Sequence, residues 1–446
     1  AIETPSSAKD TINNFDYCET YVLVQDNPAD GITINCANGA SGLIAGIVAT
    51  EEANPVQDVT VQMSGQRSGT VPTTNLGQYG FRNLQLGYDY TITPEYDANH
   101  SNGVSTFDIV MITKHILGVQ LLNSPYKMIA ADVNSSKTIT TLDLIQMRKL
   151  ILYIDIRFRN NTSWRFVDKK YTFPDPNNPW AEDFPEIINI NDLAGAINNA
   201  DFVAVKIGDV NANAQTTSLT NTEDRDFKGN FYFQVTNETL AAGNTYTIDF
   251  RANDLAAIQG FQGTLTFDAN SVELVDIVEG VAKAENFGLR FVEQGVITTS
   301  WNGEAADNAV LFSLVVKAKT NAEVSNLFGI SSRYTVAEAY ATDNSLLNVG
   351  IRFSNGAVVG TGFELFQNQP NPFKGRTVIR FQLPEAADAT LTVSDITGKV
   401  IKLVRGSYAK GLNQIELNSQ ELPAGVLSYT LSTNEFTATR KMIVTK

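Results

Sequence analysis

Histidine is nearly missing from this chain of 446 residues, with only His100 and His115 present. Also missing are a Gly-x-Ser-x-Gly turn, a cysteine–histidine nucleophile set, zinc-ligand spacing and a phosphate-cradling glycine loop. Both histidines are expected as surface or packed side chains, and the chain is expected to be non-catalytic, although carboxylate pairs that only folding assembles stay open. Cysteine is as scarce: Cys18 and Cys36 are expected to pair in a secreted chain, the alternatives being two buried thiols or a bond to something upstream. Positive charge is short too. Lys and Arg number 33 against 48 Asp and Glu, a net charge of −15 that repels nucleic acid and anionic lipid. No window holds the ~18 consecutive apolar residues of a membrane-spanning helix. A charged-then-apolar leader is absent, so Ala1 is expected to follow a removed signal peptide or to continue a longer polypeptide, with any catalytic domain upstream.

What the chain has is 43% apolar residues, enough for several small cores, with Asn, Thr, Gly and Ser abundant in place of charge. At ~100–200 residues per domain, three or four domains are expected. Residues 363–446 carry ten Lys and Arg and seven Asp and Glu, which leaves −18 for the remainder. That change of sign marks a separately acting terminal module.

Alternation at period two, punctuated by turn residues, reads as β-structure along most of the chain. Residues 1–40 hold one good strand, Tyr21-Val22-Leu23-Val24, and are expected to end a preceding domain. Residues 41–96 read as a small sandwich with strands at 44–48, 56–63 and 89–94. Residues 97–212 begin with a helical repeat; from 153 they scatter Trp164, Phe166, Tyr171, Phe173, Trp180 and Phe184 among prolines and asparagines, and return through a strand at 202–207 to Asp209-Val210-Asn211. Residues 213–226 read as a linker, 227–358 as a larger sandwich and 363–446 as a final β module with Gly398, Gly411 and Gly425 in its turns.

The repeat appears on sliding the chain by 35 places. Asp97, Asn99, Ser101, Gly103, Ser105 and Asp108 then fall on Asp132, Asn134, Ser136, Thr138, Thr140 and Asp143. These are positions 1, 3, 5, 7, 9 and 12 of a loop that wraps Ca²⁺, which takes six to eight oxygens; position 7 offers its carbonyl. Position 6 needs tolerance of the left-handed region, which Asn102 has more of than Lys137. Each loop is followed by an apolar stripe, Ile109, Ile112 and Ile116 or Leu144, Met147 and Ile151, whose helices must bury each other. Asp108 and Asp143 without an ion would be plain helix caps. Asp209-Val210-Asn211 echoes Asp132-Val133-Asn134 and offers a third ligand set.

Several resemblances follow from these residues. Residues 15–27 are similar to the last strand of Ig-like repeats in bacterial surface proteins. Residues 42–96 resemble carboxypeptidase-regulatory-like or Cna-B-type sandwiches, which are spacers. The tandem loops, with Lys-x-Ile-Leu in the first helix, resemble type I dockerins, which bind cohesins; Gly103, Lys137 and the long aromatic tail depart from that pattern. Gln259-Gly260-Phe261-Gln262-Gly263-Thr264-Leu265-Thr266-Phe267-Asp268 with Ser300-Trp301 resembles a cohesin. Both partners in one chain imply an intramolecular clasp or head-to-tail association. Finally, Gln369-Pro370-Asn371-Pro372-Phe373, Asp395-Ile396-Thr397-Gly398-Lys399, Leu422-Pro423-Ala424-Gly425 and the end Arg440-Lys441-Met442-Ile443-Val444-Thr445-Lys446 resemble the type A sorting domain of type IX secretion in Bacteroidota. That family implies recognition by an outer-membrane translocon and cargo-shuttle proteins, export, and attachment to surface polysaccharide. Pro370 and Pro372 are expected to hold an extended approach to this module.

The expected architecture is a mainly β string of Ig-like sandwiches around one small, dockerin-like, calcium-binding helical module. It would serve as a calcium-stabilised scaffold or adhesive region of a secreted or surface protein. Two alternatives stand beside it: a carbohydrate-binding accessory of a glycoside hydrolase, acting through Trp164, Trp180 or Trp301, and a surface fibre assembled by cohesin–dockerin-like contacts.

Overall fold

The computed structural model describes residues 41–217 and 227–445, apart from 355–357, 361–363, 384–385, 396, 410 and 434–436. The strand expected at 21–24, Cys18, Cys36, most of the linker and Lys446 lie outside the described residues. The rest is mainly β, with helices α1 (Thr106–Ile116), α2 (Pro125–Ala131) and α3 (Thr141–Ile151).

The boundary expected at 96/97 is crossed by both sheets of the first sandwich. Gly42–Ala49 pairs antiparallel with Gln78–Leu84 and parallel with Phe202–Lys206, which pairs in turn with Trp164–Asp168. In the facing sheet, Ile188–Ile190 extends the series Gly69–Pro72, Thr60–Gly65, Tyr90–Glu95. One core holds Ile44, Val61, Met63, Phe81 and Tyr90 together with Trp164, Phe166 and Phe202. The cause is an unfinished sheet: residues 42–96 alone would leave Gly42–Ala49 with an open edge and an uncovered apolar face. Phe202–Lys206 is buried at every position, as a central strand covered on both sides must be. The aromatic stretch is therefore the second half of this sandwich, and the helices are inserted between its halves.

In the insertion, Ser105 and Thr140 cap α1 and α3, and Asp108 and Asp143 accept from the cap N–H groups at 2.9 Å each. Ile109, Ile112, Met147 and Ile151 share one core with Phe158, Val205 and Ile207. Ile116 lies at its exposed margin. The short α2 escapes sequence reading because seven residues carry little periodicity; its signal is Ser124, which accepts from two following N–H groups, before Pro125.

The larger sandwich runs Val272–Glu279, Val310–Ala318, Thr245–Arg251, Gly229–Val235, Leu346–Phe353, Glu338–Ala341, Ile258–Phe267, Val296–Asn302. Gly229–Val235 meets Thr245–Arg251 through the single pair Gln234–Arg251, and the path folds there over Phe233, Phe250, Phe261 and Phe312. The terminal module packs Arg376–Leu383 and Gly411–Asn418 against Val400–Tyr408, Ala387–Ser394, Gly425–Ser432 and Thr437–Val444.

A fragment 41–96 is expected to be unfolded, and 41–217 to melt cooperatively. Circular dichroism melts with amide proton dispersion check this; a folded 41–96 would contradict the shared core.

Candidate functional site

The larger sandwich turns an unusual face toward the helices. Along Ile258–Phe267 and Val296–Asn302 the positions that point away from the core include Gly260, Gln262, Thr264, Thr298 and Ser300, and these five are buried. A sheet face exposed to water would alternate; this one is covered, and the cover is α1 and α3. The first turn of α1 directs the Thr106 N–H to Gln262 Oε1 at 2.7 Å, and Thr106 Oγ1 meets Ser300 Oγ at 2.7 Å. At the far end of α3, Thr335 Oγ1 donates to the Ile151 carbonyl at 2.6 Å and Thr298 Oγ1 to the Leu152 carbonyl at 2.7 Å. The sheet, with Thr335 from the connection before Glu338–Ala341, thus satisfies an orphan donor of one helix and orphan acceptors of the other.

Aromatic contacts frame these bonds. Phe107 stacks on Tyr340 with centroids 5.1 Å apart, and the Tyr340 hydroxyl donates to Glu338, which also accepts from Gln262 Nε2. Tyr153 occupies the position that Gly118 has after α1, with φ of 57°. A tyrosine held there costs ~1–3 kcal/mol; its ring lies edge-on to Tyr334 and Phe291, and its carbonyl accepts from Arg290. Gly260 allows the close approach: a Cβ there would sit 3.3 Å from both Thr106 Cγ2 and Val110 Cγ2. Arg148 reaches Asn302. The repeat counterparts of Phe107 and Val110, Leu142 and Ile145, are about half exposed instead.

The two expected cation loops differ. In the second, Ser136 N and Lys137 N donate to the two Asp132 carboxylate oxygens at 2.8 Å each, and Asn134 N donates to Asp143 at 3.4 Å. Ser136, Thr138 and Thr140 gather on the same loop. Asn134 Oδ1 is buried with no hydrogen-bond partner, which is what a ligand oxygen awaiting a cation looks like. Lys137 does adopt the left-handed region, φ 61°, and sends its ammonium outward to Asp183 at 2.7 Å. Burial pushes the Asp143 carboxyl upward.

The first loop, as expected from sequence, is not brought together. Asp97 turns to Ser163 N at 2.7 Å and His100 Nε2 at 3.0 Å, and Ser101 bonds only weakly to Asn99, which itself takes φ 49°. Asn102 is not the left-handed residue here; Asn99 and Gly103 are. The fully buried Asp108 instead accepts from Ser105 on one oxygen, and from Val210 N at 2.9 Å and Asn211 N at 3.1 Å on the other. Burial, then the charge of Asp209, push its carboxyl up to about 8; burial pushes Asp209 up to about 6. Buried Lys206 spends its ammonium on the His100 and Ile207 carbonyls, and burial lowers it to about 7. Among the described residues no group of three or more His, Cys, Asp or Glu side chains gathers as a metal site. His115 is part-buried on α1 and accepts from Leu122 N at 3.4 Å.

Of the tryptophans that a sugar-binding surface would use, Trp164 and Trp301 are buried in separate cores and Trp180 packs against the helical one.

In the terminal module, the segment leading in is stitched to the last strand. Phe373 is buried; it donates to the Ile443 carbonyl and accepts from Thr445 N, while Asn371 accepts from Ile443 N at 2.8 Å. Asn368 N donates to the Tyr429 hydroxyl, which donates to the Phe366 carbonyl. Arg440 Nε bonds the Leu365 carbonyl at 2.9 Å, and the Lys441 carbonyl accepts from Gln367. Gly398 and Gly425 take φ of 82° and 129° in their turns, and the peptide bonds before Pro370 and Pro372 are cis rather than part of a plain extended run.

Replacing Tyr429 by Phe removes the hydroxyl between Asn368 N and the Phe366 carbonyl. It is expected to destabilise the terminal module by ~1–3 kcal/mol, read as a lower midpoint in urea denaturation, with the first sandwich unchanged.

Two family models match this chain. Residues 369–445 match the secretion system C-terminal sorting domain and residues 95–152 the dockerin type I domain. No curated protein matches it in sequence. Among solved structures, the seventh ScaB type I cohesin from Pseudobacteroides cellulosolvens is 19% identical over 28% of this chain and 88% of its own, with a TM-score of 0.20. A type I cohesin–dockerin complex (Coh-OlpC-Doc435) from Clostridium thermocellum is 14% identical over 29% and 94%, with a TM-score of 0.23. BcpA, the major pilin subunit of Bacillus cereus, is 8% identical over 91% and 95%, with a TM-score of 0.19. No helix among the described residues is long and apolar enough to cross a membrane. The chain thus carries a dockerin type I domain and a secretion-system C-terminal sorting domain, the latter directing export across the outer membrane to the cell surface or beyond.

Proposed function

We propose that this chain is a non-catalytic, C-terminal scaffolding region in which the dockerin domain is clasped in cis by the cohesin-like sandwich. The reciprocal capping of α1 and α3 by Gln262, Thr298 and Thr335 carries this reading, because such bonds hold both helices in one register against one sheet. Calcium deepens it. Asp132, Asn134, Ser136, the Thr138 carbonyl, Thr140 and Asp143 would hold the ion, which supplies positive charge between two aspartates and fixes the start of α3. The sorting domain then hands the assembled chain to the translocon and its cargo shuttles, with attachment to surface polysaccharide as the end point.

A protease site placed within 218–226 of the full chain tests the clasp. After cleavage the two pieces are expected to co-elute at micromolar concentration, and Phe107→Ala with Thr335→Val to weaken their association at least tenfold. Separation of the unaltered pieces would sink the clasp.

The fibre reading keeps one specific support. Leu142 and Ile145, with Leu117 and Val119, leave an exposed apolar face related by the repeat to the clasped one. If a neighbouring molecule's large sandwich fills it, sedimentation velocity will show association rising with concentration and lost in Leu142→Asp. A monomer at all concentrations rules this out.

A further inference from the structure

The start of α1 is completed by a piece of chain that lies a hundred residues away. Asn213 N and Ala214 N donate to the two oxygens of Asp209, at 3.2 and 2.8 Å, as Ser136 N and Lys137 N do to Asp132. Asn211 N donates to Asp108 as Asn134 N does to Asp143. Ser105 N and Oγ donate to the other oxygen of Asp108, as Thr140 N and Oγ1 do to Asp143. Ala212 takes φ 61° where Ser135 takes 56°. Each of these bonds of the second loop therefore has its counterpart, but the first half of the loop comes from 209–214, where Asn211 Oδ1 also accepts from Asn213 N at 3.1 Å.

The splice between the halves is visible. Asn102 Nδ2 donates to the Gln215 carbonyl at 2.8 Å, and Gln215 N donates to Asn102 Oδ1 at 2.9 Å. Gly103 lies so close that a Cβ would sit 2.8 Å from Ala214 and from Asp209 Oδ2. Two features point to a cation and not to caps alone. Asp108 and Asp209 are 0% and 7% exposed, and no salt bridge joins either carboxyl to Lys206, whose ammonium is bonded to the His100 and Ile207 carbonyls. Two carboxyls buried together need a counter-charge if both are to ionise. In the matching loop, Asn134 Oδ1 is buried without a partner.

We propose that calcium is held at the start of α1 by a split loop: Asp209, Asn211 and Asn213 from the return segment, with the Gly103 carbonyl, Ser105 and Asp108. Asp97, Asn99 and Ser101 take no part. The inference rests on the calcium reading of the second loop, and it gives the ion a further task. Residues 209–214 follow directly from Phe202–Lys206, the central strand of the first sandwich, so the ion ties the inserted helices to the sandwich that carries them.

Calorimetric titration of the chelator-stripped full chain with CaCl₂ tests it. Two ions are expected. Asn211→Ala with Asn213→Ala, both outside the core, should leave one ion, or weaken one site at least tenfold, with an unchanged circular dichroism spectrum. Asp97→Asn with Asn99→Ala should leave two. Calcium should also slow amide exchange at Val210 and Asn211 in step with Ser105. Loss of an ion in the Asp97 and Asn99 variant would overturn the split loop. So would a single ion that Asp132→Asn abolishes, which would leave the second-loop reading standing; no binding at all would end both.

Discussion

The ends of two short helices set the terms for the rest of this molecule. An eleven-residue helix is marginal by itself, and each end leaves backbone groups without partners. Here α1 points its first turn, and α3 its last, at the same sheet. That sheet must offer an acceptor at one place and donors at another, and must stay small enough for backbones to approach. Gln262, Thr298, Thr335 and Gly260 meet those needs, and the cost is a face too polar to be a core and too buried to be a surface. Tyr153 shows the same exchange in one residue, since its left-handed backbone is offset by aromatic contacts that Gly118 could not make.

That face was legible in part. In the outer strand Val272–Glu279 the exposed positions include Glu273, Asp276 and Glu279, whereas the outward positions of Ile258–Phe267 carry no charge at all. Polar yet uncharged alternation marks a strand whose polar side is covered. The helical repeat and the terminal module were legible for a stronger reason: their signals are local, a twelve-residue frame and a series of turn motifs. The first sandwich was not. Its closing strands stand more than a hundred residues from Gly42–Ala49 and are short or irregular, so alternation alone joined them to the helices that precede them. Only the pairing of Val48 with Phe202 reveals where they belong.

The same long-range pairing explains why Asp97 and Asp108 of the contiguous first loop take different partners. Asp97-x-Asn99 and Asp209-x-Asn211 offer the same donors, and a local frame prefers the nearer. Topology decides otherwise. Tyr90–Glu95 ends just before Asp97, whose carboxylate is drawn to Ser163 N beside the start of Trp164–Asp168. Phe202–Lys206 meanwhile delivers Asp209 beside α1, where Val210 and Asn211 donate to Asp108. The echo of Asp132-Val133-Asn134 at 209–211 was the available signal; its weight could be judged only once the strand before it was known to be central.

Closure by distant segments also bears on how the export signal is read. In the terminal module the residues at its opening, Leu365 to Phe373, bond to the final strand Thr437–Val444, while Tyr429 joins Phe366 to Asn368. The first and last pieces of the signal thus form one surface, and neither has its partners until the last strand is in place. Arg440 illustrates this, because its guanidinium bonds a carbonyl some seventy residues upstream. A receptor that reads this surface reads a finished fold: the motif residues are spread along the sequence because each one closes a different joint of the same small sandwich.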